Sequence, residues 1–363
     1  MTTLDTPRTE APTIDMDALM AFVGRAVGDA GATLNTALVV LGDRLGLYRD
    51  LAAHGPSSPA EVADRTGTAE PYVREWLNAQ AAGDYVTYDP ASARYSLEPE
   101  KAVALTVEDS PAFLPGLFQV ALGALHGTEH IVEAARGGTG FGWHEHTRDV
   151  HAGTERFFRP SYHANLVPSW LPALDGVVEK LERGAAVADV GCGYGASTIL
   201  MAQAFPASTF VGYDYHEASV EAARERAAEA GVADRVRFAV ATADGFDETG
   251  LDLVTMFDCL HDMGDPVGAG RHVREALAED GTWMVVEPAA GDRVEDNLHP
   301  IGRAFYGFST LLCTPSSLSQ DVGMALGAQA GPARIHDVAT AAGFDRFGVA
   351  ASTPFNLVYE VRR

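Results

Sequence analysis

The spacing of apolar residues along this chain changes character near residue 185. Before that point they recur at helical intervals: Leu19, Phe22 and Val23, then Leu34, Ala37, Leu38 and Leu41, so Met16 to Leu51 predicts two helices. In His54-Gly-Pro-Ser-Ser-Pro-Ala-Glu-Val62, Ser58 can cap a helix, with Pro59 in its first turn and Glu61 answering the cap. A helix is predicted from about Glu70 to Ala82, and then a hairpin whose arms, Tyr85 to Tyr88 and Arg94 to Leu97, flank Asp89-Pro-Ala-Ser. Helix, turn, helix and hairpin in that order describe a winged-helix module. Residues 111–178 are rich in aromatics and histidine and read as helical, with a glycine break at Gly137 to Gly140.

Beyond Ala185, short apolar runs alternate with helical ones. Strands are predicted near 186–190, 209–213, 236–240, 251–257 and 281–287, and helices near 196–205, 216–230, 266–279 and 332–342. That alternation predicts a parallel sheet covered on both faces. Two further strands, Phe344 to Ala351 and Phe355 to Val361, are separated by Ser352-Thr-Pro354 and predict a closing hairpin, unusual for a dinucleotide-binding sheet.

The fold class that follows is α/β. A seven-stranded Rossmann-like sheet stands behind a mostly helical winged-helix domain, in keeping with the two domains expected of 363 residues. The expected segments are a disordered tail over 1–14, a winged-helix-like dimerisation domain over 15–110, a helical connector and pocket over 111–178, and a catalytic domain over 179–363. No apolar stretch approaches the roughly 20 residues of a membrane span, and the polar, acidic first residues lack the apolar core of an export signal. Cys192, Cys259 and Cys313 are too few and too scattered for a disulfide framework, so a cytoplasmic location is expected. The formal charge of −24 disfavours nucleic acid and favours a small-molecule partner. Between residues 20 and 110, seven Arg and Lys face thirteen Asp and Glu, and the would-be recognition helix offers Arg74 between Glu70 and Glu75. A pocket-building, dimer-forming role for the winged helix is therefore preferred to DNA binding, and a homodimer is expected.

The strongest local signal is Ala186-Val-Ala-Asp189-Val-Gly191-Cys-Gly193-Tyr-Gly195. Its glycines allow a sharp strand-to-helix turn that brings backbone amides to a ligand. The spacing is Gly-x-Gly-x-Gly and not the Gly-x-Gly-x-x-Gly of a pyrophosphate turn. Asp189, just before the first glycine, would repel a diphosphate and suits a ligand with a positive amino group, directly or through water. Asp214 ends the second strand 25 residues later, where an acid can accept both hydroxyls of a ribose. Asp244 offers a carboxylate to an adenine amine, and Gly245-Phe246 an aromatic face beside the ring. Tyr215 and Asp258, beside the second and fourth strand ends, complete the expected cofactor set. Amine, ribose and adenine are the parts of S-adenosylmethionine, whose product is S-adenosylhomocysteine.

With these residues in hand, 180–363 resembles a class I S-adenosylmethionine-dependent methyltransferase domain, a family whose sheet ends in an antiparallel seventh strand. The winged helix, connector and sheet together resemble small-molecule O-methyltransferases. Cys259-Leu-His-Asp-Met-Gly-Asp-Pro266, Glu287-Pro and Ser317-Leu-Ser-Gln resemble bacterial two-domain members of that group. The resemblance implies O-methylation of a small-molecule acceptor. It places His261 where the His of a His-Asp-Trp sequence acts as general base; here the sequence is His261-Asp262-Met263. Glu287, ending the fifth strand, can orient that imidazole. The family's second carboxylate has no match, because Ser317, Ser319 and Gln320 occupy its region.

Trp143, His146, Phe158 and Tyr162, with Arg303 and Tyr306 from the long insertion after Glu287, are the candidate acceptor pocket. Trp143-His-Glu-His146 with His151 has a metal-like spacing, but no further Cys or carboxylate completes a ligand set, and no metal is expected. Three other readings remain: N- or S-methylation without a base, a DNA-binding metabolite sensor, and a nicotinamide-dependent oxidoreductase, the last disfavoured by the glycine spacing and the terminal hairpin.

Overall fold

The computed structural model describes residues 14–363, so nearly all of the expected N-terminal tail lies outside the described residues. Two compact units divide at Glu98 and Pro99. The first holds α1 (Met16–Arg44), α2 (Leu47–His54), α3 (Pro59–Thr66), α4 (Glu70–Ala82) and the hairpin β1 (Thr87–Asp89) and β2 (Arg94–Ser96). The capping box expected at α3 is present: the Glu61 amide donates to the Ser58 hydroxyl, and the Ser58 amide to the Glu61 carboxylate. Leu47, Leu51, Val62, Val73, Trp76 and Leu77 form the unit's centre. Gly42 admits Trp76, since a Cβ there would lie 2.4 Å from the indole. The N-terminal half of α1 leaves Met16, Leu19, Met20, Phe22, Val23 and Val27 exposed. On α4, Arg74 is engaged by Glu70 and Glu75, in keeping with the weak basicity read from the sequence.

The second unit opens with α5 (Pro99–Thr106), α6 (Pro115–His126), α7 (Thr128–Gly137) and α8 (Arg148–Asn165). The expected glycine break falls at the end of α7, where Gly138 turns left-handed. Residues 111–178 do not stand apart as a connector. Gly116, Gly123 and Gly153 let α6 and α8 approach backbone to backbone, and α8 runs on through a π-turn into the core below the sheet. After α9 (Val177–Arg183) come β3 (Ala186–Val190), α10 (Ala196–Ala204), β4 (Thr209–Asp214), α11 (Glu217–Glu229), β5 (Val236–Val240), β6 (Leu251–Phe257), α12 (Pro266–Ala276) and β7 (Leu277–Pro288). The insertion forms α13 (Pro300–Phe308), a π-turn at Ser309–Cys313 and α14 (Thr314–Leu318); α15 (Gly331–Ala341), β8 (Arg346–Ser352) and β9 (Asn356–Arg362) close the chain.

The seven strands lie in the order β5-β4-β3-β6-β7-β9-β8, parallel up to β7, with β9 antiparallel between β7 and β8. The order reverses beside β3, so the carboxyl ends of β3, β4 and β6 flank the crevice where ligands of such sheets bind. Alternate residues feed two cores: Met284 and Val286 of β7 point to one face, Trp283 and Val285 to the other. Trp283 is fully buried against Phe344. Trp283→Ala is expected to cost about 3–5 kcal/mol of stability in guanidinium denaturation.

Candidate active site

The crevice at the strand ends encloses about 570 Å³. Its floor is the turn after β3. Gly191, Gly193 and Gly195 all have positive φ. A Cβ on Gly191 would meet the Cys259 thiol at 2.6 Å, and one on Gly195 the Phe238 ring at 2.6 Å, so the turn is closed to larger residues on two sides. Gly191 and Gly193 line the crevice, while Gly195 lies behind it at the start of α10.

Asp189 lies behind the crevice wall. Its side chain is fully buried and does not line the crevice. Ser197 and Thr198 donate to one carboxylate oxygen, both at 2.6 Å, and Thr255 to the other at 2.9 Å. Burial raises its pKa although the three hydroxyls pull the other way. It pins α10 and β6 to β3. Asp214, in contrast, faces the crevice and accepts the amides of Gly193 and His216, each at 2.9 Å, one per oxygen. Burial raises its pKa too. The remaining lone pairs suit a diol. Tyr215 lines the same wall, edge-on to His144.

Asp244 lines the crevice, together with Ala241, Thr242 and Ala243, which the sequence reading did not single out. Gly245 and Phe246 do not line it. Phe246 turns inward, stacks on Tyr213 and meets His272 edge-on, because a phenyl ring gains more in the helix-side core than at a wet rim.

Asp258 sits just past β6 at φ 51°, a conformation an aspartate tolerates better than most residues. Its carboxylate receives the Asn356 amide at 2.7 Å and the Tyr162 hydroxyl at 3.3 Å, and burial lifts its pKa well above the usual range.

His261 and Asp262 follow on a 3₁₀ turn. Glu287 grips that turn twice, accepting the Leu260 amide at 3.1 Å and contacting His261 Nδ1 closely. His261 Nε2 lies 3.2 Å from Asp262 Oδ1. His261 is therefore held by Glu287 as expected, yet it does not stand open to the crevice: it is buried one layer back, and Asp262 lines the wall in front of it. Burial pulls its pKa down, but Glu287 and Asp262 together more than reverse this, leaving it well above the ordinary value. Cys313, from the π-turn, reaches both His261 and Asp262, its thiol pushed up to about 12 by burial.

Of the acceptor residues, Trp143, Phe158 and Tyr162 line the crevice, joined by His144 and His151. His146 is packed instead between Phe141 and Trp143, its pKa lowered to about 4 by burial. Arg303 and Tyr306 stand on α13 away from the crevice; from the insertion only Ser316, Ser319, Gln320 and Asp321 reach it. Those positions sit where Gln320 bonds the Gly264 amide and the Asp262 carbonyl, which ties the insertion to the His261 turn. None of the described residues lining the crevice is Lys or Arg, whereas Glu155, Asp214, Asp244, Asp258, Asp262, Asp265 and Asp321 all are part of it.

A seven-stranded sheet with this crevice defines a class I methyltransferase fold. Residues 181–312 match the family described as methyltransferase domain, and residues 32–107 match the Rv2258c-like winged HTH domain. No curated protein matches the chain. Among solved structures, a putative O-methyltransferase from Nostoc punctiforme PCC 73102 is 18% identical at a TM-score of 0.72, covering 93% of this chain and 99% of its own. The mitomycin 7-O-methyltransferase MmcR is 20% identical at 0.67, covering 96% and 100%. Human N-acetylserotonin methyltransferase is 16% identical at 0.70, covering 94% and 97%. The chain thus carries a methyltransferase domain of the class I fold, preceded in sequence by a Rv2258c-like winged HTH domain.

Asp189→Ala would leave three buried hydroxyls without their acceptor and is expected to lower stability by about 2–4 kcal/mol, read from the denaturant midpoint, with cofactor affinity following only through the loss of fold.

Proposed function

We propose that this protein transfers the methyl group of S-adenosylmethionine to an oxygen of a small, flat acceptor held in the crevice. The observation that carries the reading is Asp214, fixed by two backbone amides beside the glycine turn with lone pairs left for a ribose. Human N-acetylserotonin methyltransferase was solved with S-adenosylmethionine, which supports the same cofactor here. Methyl transfer from a sulfonium is an in-line displacement in which alignment in a dry pocket supplies much of the rate. The aromatic wall of Trp143, Phe158 and Tyr162 suits that task. The hydroxyl proton leaves toward the chain Asp262, His261 and Glu287: Asp262 faces the crevice, and Glu287 holds Nδ1 so that Nε2 points toward Asp262.

Calorimetric titration with S-adenosylmethionine and S-adenosylhomocysteine tests the cofactor. Micromolar binding is expected, at least tenfold weaker in Asp214→Ala, and absence of binding to the wild type would overturn the reading. His261→Gln is expected to lower turnover by about 10²- to 10⁴-fold with cofactor affinity kept. Unchanged turnover would instead favour N- or S-methylation, where the acceptor already holds a free lone pair.

The second part of the proposal is that the protein acts as a homodimer in the cytoplasm, with the winged helix in a structural role. It is supported by the exposed apolar face of α1 and by the acid-bracketed Arg74. Light scattering is expected to give twice the chain mass, and Phe22→Asp with Val27→Asp to give the single chain mass.

A further inference from the structure

His151 lines the crevice, and the methyl-transfer reading leaves it without a task. It stands in the first turn of α8 and is 8% exposed. Gly123 and Gly153 let α6 and α8 meet backbone to backbone on either side of it, so the ring is held on a rigid wall. Nε2 donates to the Trp143 carbonyl at 2.9 Å, which leaves the lone pair of the ring on Nδ1. Burial, with the His216 ring beside it, lowers its pKa and keeps the imidazole neutral at neutral pH. Nδ1 has no partner among the described residues, yet it is not shut off from solvent. An acceptor this enclosed costs free energy unless a donor from a ligand or water meets it.

The neighbours of the ring indicate which donor. It packs at 4.5 Å against the ring of His216, whose amide is one of the two that fix Asp214. The Asp214 carboxylate is close enough to act on the charge of His151. Each Asp214 oxygen already receives one backbone amide. A vicinal diol in front of Asp214 brings two hydroxyl protons, and the carboxylate and the imidazole offer an acceptor for each. We propose that His151 is a cofactor-binding residue whose Nδ1 accepts the proton of one ribose hydroxyl while Asp214 accepts the other. The contact rests on the S-adenosylmethionine reading and adds to it a ribose partner from α8, outside the sheet. Because the Trp143 carbonyl holds the imidazole, ribose, His151 and Trp143 form one hydrogen-bonded chain. Bound cofactor thereby steadies the aromatic wall on which the acceptor lies.

Calorimetry on the full-length protein compares S-adenosylhomocysteine with its 2′-deoxy and 3′-deoxy analogues, in the wild type, His151→Phe and His151→Asn. Phenylalanine keeps the ring packing and removes the acceptor, whereas the Oδ1 of asparagine can take the place of Nδ1. His151→Phe is expected to bind S-adenosylhomocysteine about 3- to 10-fold more weakly. One deoxy analogue, weakened by a similar factor on the wild type, is expected to bind His151→Phe as well as S-adenosylhomocysteine does. The other keeps its penalty there, because its missing hydroxyl is the one that Asp214 holds. His151→Asn is expected to restore the discrimination, and His151→Leu, read as His151→Phe is, frees the comparison from the folding of one variant. A purely structural role weakens all three ligands alike. Unchanged affinity for S-adenosylhomocysteine in His151→Phe and His151→Leu, or full penalties for both analogues in them, therefore overturns the proposal. Failure of S-adenosylhomocysteine to bind the wild type removes the methyl-transfer reading and this contact together; binding with both penalties kept removes the contact alone.

Discussion

The buried carboxylate of Asp189 is the constraint on which the rest of the site depends. Three hydroxyls, from Ser197, Thr198 and Thr255, hold it in a fully dehydrated position. Two lie on α10 and one on β6, so a single side chain sets the angle between strand, helix and neighbouring strand. A charge-assisted set of hydrogen bonds away from water is directional and intolerant of displacement. The glycine turn between β3 and α10 can therefore hold Gly193 against Asp214, and the crevice is shaped before a ligand enters.

A second theme is negative charge. Seven acids and no Lys or Arg among its described lining residues make the crevice a poor host for phosphates and a good one for a sulfonium and an ammonium. The same bias continues one layer deeper, where Glu287 organises the His261 turn by gripping its backbone and its imidazole together. The insertion seals that turn through Gln320 and Ser317, which bond the Gly264 amide and the Met263 carbonyl. Its role is to buttress the reacting end; its own apolar residues pack with α6 and α8.

The histidines of the 143–151 segment divide by packing. His144 and His151 face the crevice, while His146, at the same apparent spacing, is enclosed by Phe141 and Trp143 and held neutral by burial. Arg303, also expected in the acceptor pocket, stands on α13 and does not line the crevice.

Local sequence was enough for the strands from Ala186 to Phe257, the capping box at Ser58 and Glu61, the closing hairpin and the strand-end position of Asp214, because each follows from periodicity, turn chemistry or an order that neighbouring residues decide among themselves. What it could not decide is which side of a wall a residue faces. Asp189 and Asp214 look alike as acids at strand tips, yet one is roofed by α10 hydroxyls and the other opens to the crevice. Phe246 and His261 likewise do not line the crevice, and Cys313 joined His261 and Asp262 from about fifty residues further on. Those placements depend on how helices and the insertion pack across the sheet, on distances set by long-range burial and not by spacing along the chain.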